Sequence, residues 1–238
     1  MNEPQIPKLA ATVILLRPAR PCGFEVLLTR RPAAMAFLGG MYCFPGGTLR
    51  KEDCSDRRLA CSRGLTATEA RAIVGAHFTP RRALGLWLAA IRELFEEVGI
   101  LLVTRTTGEP ILLDKTRTTE IHAALLAKTL SFQTILEKEH LLCDTSRLTY
   151  FSHWQTPADV VMRFDTYFFV SALPEDQIPL RTSHEVVHSL WLTPDHALQL
   201  FGKAELPMIF PTFAALRTLA DFDSLDQILK EFQPRRRG

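Results

Sequence analysis

The chain has little cysteine: five residues in 238, at positions 22, 43, 54, 61 and 143, with no two in a Cys-x-x-Cys pair. An odd, scattered set argues against a disulfide framework and against a zinc site, and it fits a reducing compartment, so a cytoplasmic location is expected. Net charge is also scarce, at +2, which gives little footing for a nucleic-acid partner. The one basic run, Arg235-Arg236-Arg237, reads as a solvated end. No stretch approaches 18 uninterrupted apolar residues, and the N-terminus lacks a charged segment followed by a long apolar one, so neither a membrane span nor a secretory signal is expected. Low-complexity tracts and internal repeats are absent as well.

What is present is an ordinary globular composition, 47% apolar and 23% charged, on a chain long enough for a full core. One domain over residues 1–238, with insertions, is the expectation. Into that composition residues 89–100 put three carboxylates and an arginine: Ala-Ala-Ile-Arg92-Glu93-Leu-Phe-Glu96-Glu97-Val-Gly99-Ile. On a helix Glu93, Glu96 and Glu97 stand at i, i+3 and i+4 and share a face, while Leu94, Phe95 and Val98 pack the other side and Gly99 supplies a left-handed stop. The acids crowd the last turns, where the helix dipole disfavours each negative charge by about 0.3–1 kcal/mol. A hard divalent cation, Mg²⁺ or Mn²⁺, would reverse that balance, because it takes carboxylate and phosphate oxygens together. The alternative is a solvated acidic face.

The surrounding pattern is mixed. Residues 8–16 and 24–29 read as strands joined through Arg20-Pro21-Cys22-Gly23, and 41–44 as a short strand before a Pro45-Gly46-Gly47 turn, where glycine lets backbone N–H groups approach a ligand. Helices are expected over 66–76 and, with Thr79 capping and Pro80 at the first position, over 79–98. Residues 118–142 read as helical with an interruption near Ser131, and 100–104 and 110–113 as short apolar runs. Strands at 148–153, 164–170 and 186–192 and helices at 194–201, 212–220 and 224–232 complete the chain. Periodicity alone gives α+β or α/β.

The acid cluster, with Phe44-Pro45-Gly46-Gly47 upstream, resembles the Nudix signature, Gly-x5-Glu-x7-Arg-Glu-(apolar)-x-Glu-Glu-x-Gly-(apolar). Its second half matches from Arg92 to Ile100, whereas Gly47 lies 45 positions before Arg92, so 31 extra residues split the signature. Asp53 occupies the position of the first acid, with Glu52 beside it, and the resemblance implies that one of the two pairs with Arg92. Leu27-Leu28-Thr29-Arg30-Arg31-Pro32, running on to Gly47, is similar to the coenzyme A pyrophosphatase motif, with Pro32 in place of Ser and Ala36 in place of Arg. Further along, His153-Trp154-Gln155-Thr156-Pro157, Arg163-Phe164-Asp165-Thr166-x-Phe168-Phe169, Trp191-Leu192-Thr193-Pro194 and Pro211-Thr212 resemble the peroxisomal-type coenzyme A diphosphatases of the Nudix superfamily and their bacterial relatives, over about residues 8–220.

That resemblance implies a Nudix α/β/α sandwich with a mixed β-sheet and helical insertions at about 54–79 and 114–147. It implies metal-dependent cleavage of a nucleoside diphosphate linked to another moiety, coenzyme A or acyl-CoA first, and ADP-ribose or a nucleotide sugar second. A catalytically silent nucleotide sensor is the reading from another class. Glu93, Glu96 and Glu97 then hold the metal; Glu96, Glu97, Arg92 and Glu185 carry the chemistry; Gly46, Gly47, Arg30 and Arg163 meet the substrate; Asp53, Glu52 and Gly99 give support. The bland reading of Glu185, a solvated loop residue, and of Arg163, an ion-pair partner of Asp165, is the more common one for such residues. The expected partner is a small nucleotide, without nucleic acid or membrane, and pairing of two copies through the inserted helices stays open.

Overall fold

A computed structural model describes residues 6–35, 38–107, 114–180 and 186–233. The strands in chain order are β1 (Lys8–Pro18), β2 (Phe24–Arg30), β3 (Tyr42–Cys43), β4 (Gly46–Thr48), β5 (Ser62–Arg63), β6 (Val103–Arg105), β7 (Leu141–Asp144), β8 (Thr149–Gln155), β9 (Phe164–Ala172) and β10 (His188–Leu192). The helices are α1 (Asp56–Ala60), α2 (Ala67–Val74), α3 (Pro80–Val98), α4 (Lys115–Leu126), α5 (Phe132–Lys138), α6 (Pro194–Gly202), α7 (Phe210–Leu219) and α8 (Leu225–Phe232).

The apolar run of β1 has no polar alternation because both of its faces are covered. Ala11, Val13 and Leu15 enter one buried cluster with α2 and α3, and Ile14 and Leu16 enter another with α6, α7 and α8. Around it the main sheet runs β10-β2-β1-β9-β8, with β9 parallel to β1 and the other neighbours antiparallel. This is the α/β/α layering that the sequence led us to expect.

The sheet forks next to the signature glycines. β1 and β2 pair only over residues 16–18 and 24–26; farther on, β3 pairs with β2, and β4 pairs with β1 at residues 10–12. The expected Pro45-Gly46-Gly47 turn is therefore corrected. Pro45 accepts a hydrogen bond from the Val13 N–H at 2.8 Å, and Gly46 and Gly47 lie in β4, because the free edge of β1 supplies them with a backbone partner.

The helix that carries the acids forms where its punctuation predicts. The Thr79 hydroxyl accepts from the Arg82 N–H, Pro80 opens the first turn, and Gly99 closes the last with φ 71°, its N–H bonded to the Phe95 carbonyl. It is far more enclosed than an amphipathic surface helix, with Leu84, Leu86–Leu88 and Ile91 all buried along with the apolar residues of its final turns. No helix among the described residues is long and apolar enough to cross a membrane.

The two insertions supply the remaining cover, and they hold each other. Residues 118–142 are not one interrupted helix: α4 and α5 are followed by β7, which takes Leu141 and Leu142 into a strand because β5 and β6 flank it with open backbone edges. The small sheet β5-β7-β6 thus joins the first insertion to the second. Thr145 strengthens the join, its hydroxyl donating to the Arg63 carbonyl and accepting from the Leu65 N–H, both at 2.8 Å. The apolar run at 110–113 lies outside the described residues, as do Ala36 and the terminal arginines.

Candidate active site

Arg92 is the fixed point of the site. Only 2% exposed, it donates to both carboxylate oxygens of Asp53 at 2.9 and 2.7 Å, to the Thr48 carbonyl at 3.0 Å, to Glu93 at 2.6 Å and to Glu96 at 3.2 Å. Asp53, fully buried, also accepts the Arg50 N–H at 3.0 Å. Burial works against the charge of Arg92, and the Asp53 hydrogen bonds with the charges of Glu93, Asp53 and Glu96 more than offset it, so its pKa moves upward. The choice left open by the sequence is settled: Asp53 pairs with Arg92, while Glu52 is exposed at the rim of the cleft.

This pair bolts α3 to the segment after β4, and the glutamates come up against the glycines. A Cβ at Gly47 would lie 2.5 Å from the Glu93 carboxyl carbon, so the absence of a side chain there is what admits the carboxylate. Gly46 donates its N–H to Glu97 Oε2 at 3.3 Å. Glu93 and Glu97 are buried, at 5% and 6% exposure, and Glu96 is half-buried. Burial pushes the pKa of Glu93 up, against the opposing pull of Arg92. Negative charge on this carboxylate is thus costly in its surroundings.

Beside the acids opens a cleft of about 700 Å³. Glu93, Glu96 and Glu97 form one side; Arg58 from the first insertion and Leu125, Lys128 and Phe132 from the second form another. Three residues that sequence reasoning did not single out line it or brace its lining. Arg50 grips Glu96 through both guanidinium ends, His122 places Nε2 3.1 Å from the Glu96 carbonyl, and Arg58 lies over the Phe132 ring. None had a readable signal: Arg50 lies between elements, and a lone Arg58 on α1 or His122 on α4 repeats at no spacing that would mark it.

The other sequence candidates fall differently. Arg30 donates to the Gly40 carbonyl at 3.2 Å and stacks over Tyr42, and it does not line the cleft. Arg163 donates to the Thr156 carbonyl at 3.2 Å and is likewise outside the lining. Asp165 instead bonds His153 across β8 and β9. Glu185 lies outside the described residues.

Among the described residues no three acidic, histidine or cysteine side chains form a ready-made cage for a metal, and Arg50 and Arg92 hold carboxylate oxygens of Glu96 and Glu93. The donor set itself, the three carboxylates of Glu93, Glu96 and Glu97 on α3, is the hard-oxygen kind that Mg²⁺ or Mn²⁺ takes.

Acyl-coenzyme A diphosphatase NUDT19 of Gallus gallus is 28% identical, and so is that of Homo sapiens; each alignment covers 90% of this chain and 65% of the relative, so the chain spans about two thirds of the length of either. A Nudix hydrolase structure from Alicyclobacillus acidocaldarius superposes with a TM-score of 0.82 over 96% of this chain and 98% of its own, at 24% identity, which speaks to the fold. The family model described as the NUDT19 Nudix domain matches residues 7–219, and with the split signature closed in space by Arg92 and Asp53, the chain belongs to that family.

Proposed function

We propose that the protein is a metal-dependent diphosphatase that cleaves the phosphoanhydride of a nucleoside diphosphate linked to another moiety, with coenzyme A or an acyl-CoA as the favoured substrate. The products are then 3′,5′-ADP and 4′-phosphopantetheine or its acyl form. The observation that carries this reading is the pair of buried carboxylates, Glu93 and Glu97, brought against Gly46 and Gly47 of β4 by the Arg92–Asp53 bolt. The names of the NUDT19 relatives support the choice of substrate.

Glu93, Glu96 and Glu97 would hold the cation. When bound, Mg²⁺ or Mn²⁺ supplies screening of the diphosphate oxygens and acidification of the attacking water. The protein's own part is positional. Arg92 spends its donors on Asp53, Thr48, Glu93 and Glu96, which fixes the carboxylates before the substrate arrives and spares the reorganisation that flexible ligands would need. The Gly46 N–H orients Glu97. Water adds to one phosphorus, the bridging P–O bond breaks, the departing phosphate keeps the bond's electrons, and a glutamate of this cluster takes the proton from water.

The test is to incubate the protein with Mg²⁺ or Mn²⁺ and coenzyme A, ADP-ribose, NADH and a diadenosine compound. Turnover of coenzyme A with release of 3′,5′-ADP is expected. Tight binding of one compound with turnover of none would instead identify a sensor. In the same assay Glu97→Gln keeps the Gly46 hydrogen bond through its amide oxygen and is expected to lower turnover by on the order of 10²–10⁴-fold. Unchanged activity in that variant would remove Glu97 from the chemistry.

A further inference from the structure

The acids account for one side of the cleft, and the cations on the other side have no work in that account. Arg58 is 3% exposed and lines the cleft. Its Nε donates to Gln133 at 2.8 Å and its guanidinium lies 4.7 Å from the centre of the Phe132 ring, yet Nη1 has no hydrogen-bond partner among the described residues and the side chain makes no ion pair there. The nearby carboxylates are taken: Asp53 by Arg92, and Glu137 by Arg57. A buried guanidinium nitrogen left without an acceptor is a costly arrangement, and native structures keep few of them.

Lys128, on the facing insertion, also lines the cleft. It is exposed, has no ion-pair partner among the described residues, and sits at φ 58° just beyond α4, in the left-handed region where glycine or asparagine is the common choice. Half-exposed Leu125, Leu126 and Leu130 stand beside it. One cation from each insertion therefore borders the same opening as the acids.

We infer that Arg58 and Lys128 form a second anion subsite, which takes a phosphomonoester carried by the substrate in addition to the diphosphate that is cleaved. The three leucines give the uncharged neighbour of that phosphate an apolar wall. This rests on the diphosphatase reading above and deepens it: the preferred substrates are nucleoside diphosphate conjugates that bear a separate phosphate, as coenzyme A does on its 3′ hydroxyl, and the two insertions provide for that group.

The experiment compares coenzyme A with 3′-dephospho-coenzyme A, with Mg²⁺ or Mn²⁺ present, in the full chain. The wild type is expected to show a KM for coenzyme A about tenfold lower, at similar kcat. Lys128→Ala, a surface change, raises that KM several-fold and leaves the dephospho compound unaffected. Arg58→Met, which keeps a stem over Phe132, narrows the ratio between the two substrates in the same way, and Arg58→Lys partly restores it. Binding is read independently by calorimetry: adenosine 3′,5′-bisphosphate binds the wild type more tightly than AMP does, and Lys128→Ala erases the difference. Equal KM values for both substrates, or a ratio unchanged in both Lys128→Ala and Arg58→Met, overturns the subsite and leaves the diphosphatase standing. If neither compound is cleaved while the bisphosphate still outbinds AMP, the subsite stands and the diphosphatase reading falls. A change that only lowers stability moves both substrates alike and so counts against the subsite.

Discussion

Arg50 and Glu96 meet end to end, Nη1 to Oε1 at 2.9 Å and Nη2 to Oε2 at 2.8 Å, and the same arginine comes within 3.7 Å of Glu93. A parallel pair of this kind occupies both oxygens of a carboxylate that the proposed cation also needs. Arg50 is therefore a competitor of the metal while the cleft has no substrate. Since its side chain is 47% exposed, the pair is worth no more than about 1 kcal/mol. Arg50→Ala is expected to tighten Mn²⁺ binding by up to about fivefold, read by electron paramagnetic resonance of free Mn²⁺. Weaker binding in the variant would show that the arginine helps the metal rather than opposing it.

The bond between Asp53 and Arg92 is buried on both sides, at 0% and 3% side-chain exposure, so removing one partner strands a charge. Asp53→Ala is expected to lower stability by about 3–5 kcal/mol in urea unfolding, because Arg92 keeps its charge and loses the acceptor of two donors. A loss below about 1 kcal/mol would place the strength of the join elsewhere.

Gly47→Ala tests the close approach of β4 to α3. The added methyl meets the Glu93 carboxylate, and Arg92 restrains that carboxylate from moving away with a 2.6 Å hydrogen bond. A stability cost of about 1–3 kcal/mol is expected, with loss of turnover and of Mn²⁺ affinity together. A fully active variant would mean that Glu93 can shift without consequence.

Cys143 gives a prediction in pH. Burial pushes its thiol up from 9.0 to about 12, so the fold favours the protonated form. The folded-state pKa is the higher one, hence the contribution is complete below pH 9 and is lost as pH rises from there toward 12, where the unfolded chain gives up its proton first. Iodoacetamide at pH 8 is expected to label exposed Cys22 in the native protein and to reach Cys143 only after unfolding. Native labelling of Cys143 would show that the cluster around it opens readily.

What the sequence disclosed was what is encoded locally. The long helix could be read from Thr79, Pro80 and Gly99, three residues whose effects act within a turn of their own positions. The strands around β1 were evident from apolar runs that need both faces covered. Other features depend on distant partners. Whether Arg92 takes Glu52 or Asp53 is decided by how the residues after β4 coil beneath α3, and two adjacent acids look alike in one dimension. Leu141 and Leu142 suit a helix or a strand equally until β5 and β6 arrive on either side. Gly46 and Gly47 suggested a turn by composition, whereas the open edge of β1 drew them into the sheet. Arg50 and Arg58 act through partners more than 40 residues away in the chain, which leaves no local pattern.

β5 and β7 belong to different insertions and are hydrogen-bonded to each other along a common edge. Deleting either insertion alone would bare that edge and invite another chain to pair with it. A minimal version of this protein therefore cannot be reached by trimming one loop at a time: the two additions form a matched set, to be kept or discarded together.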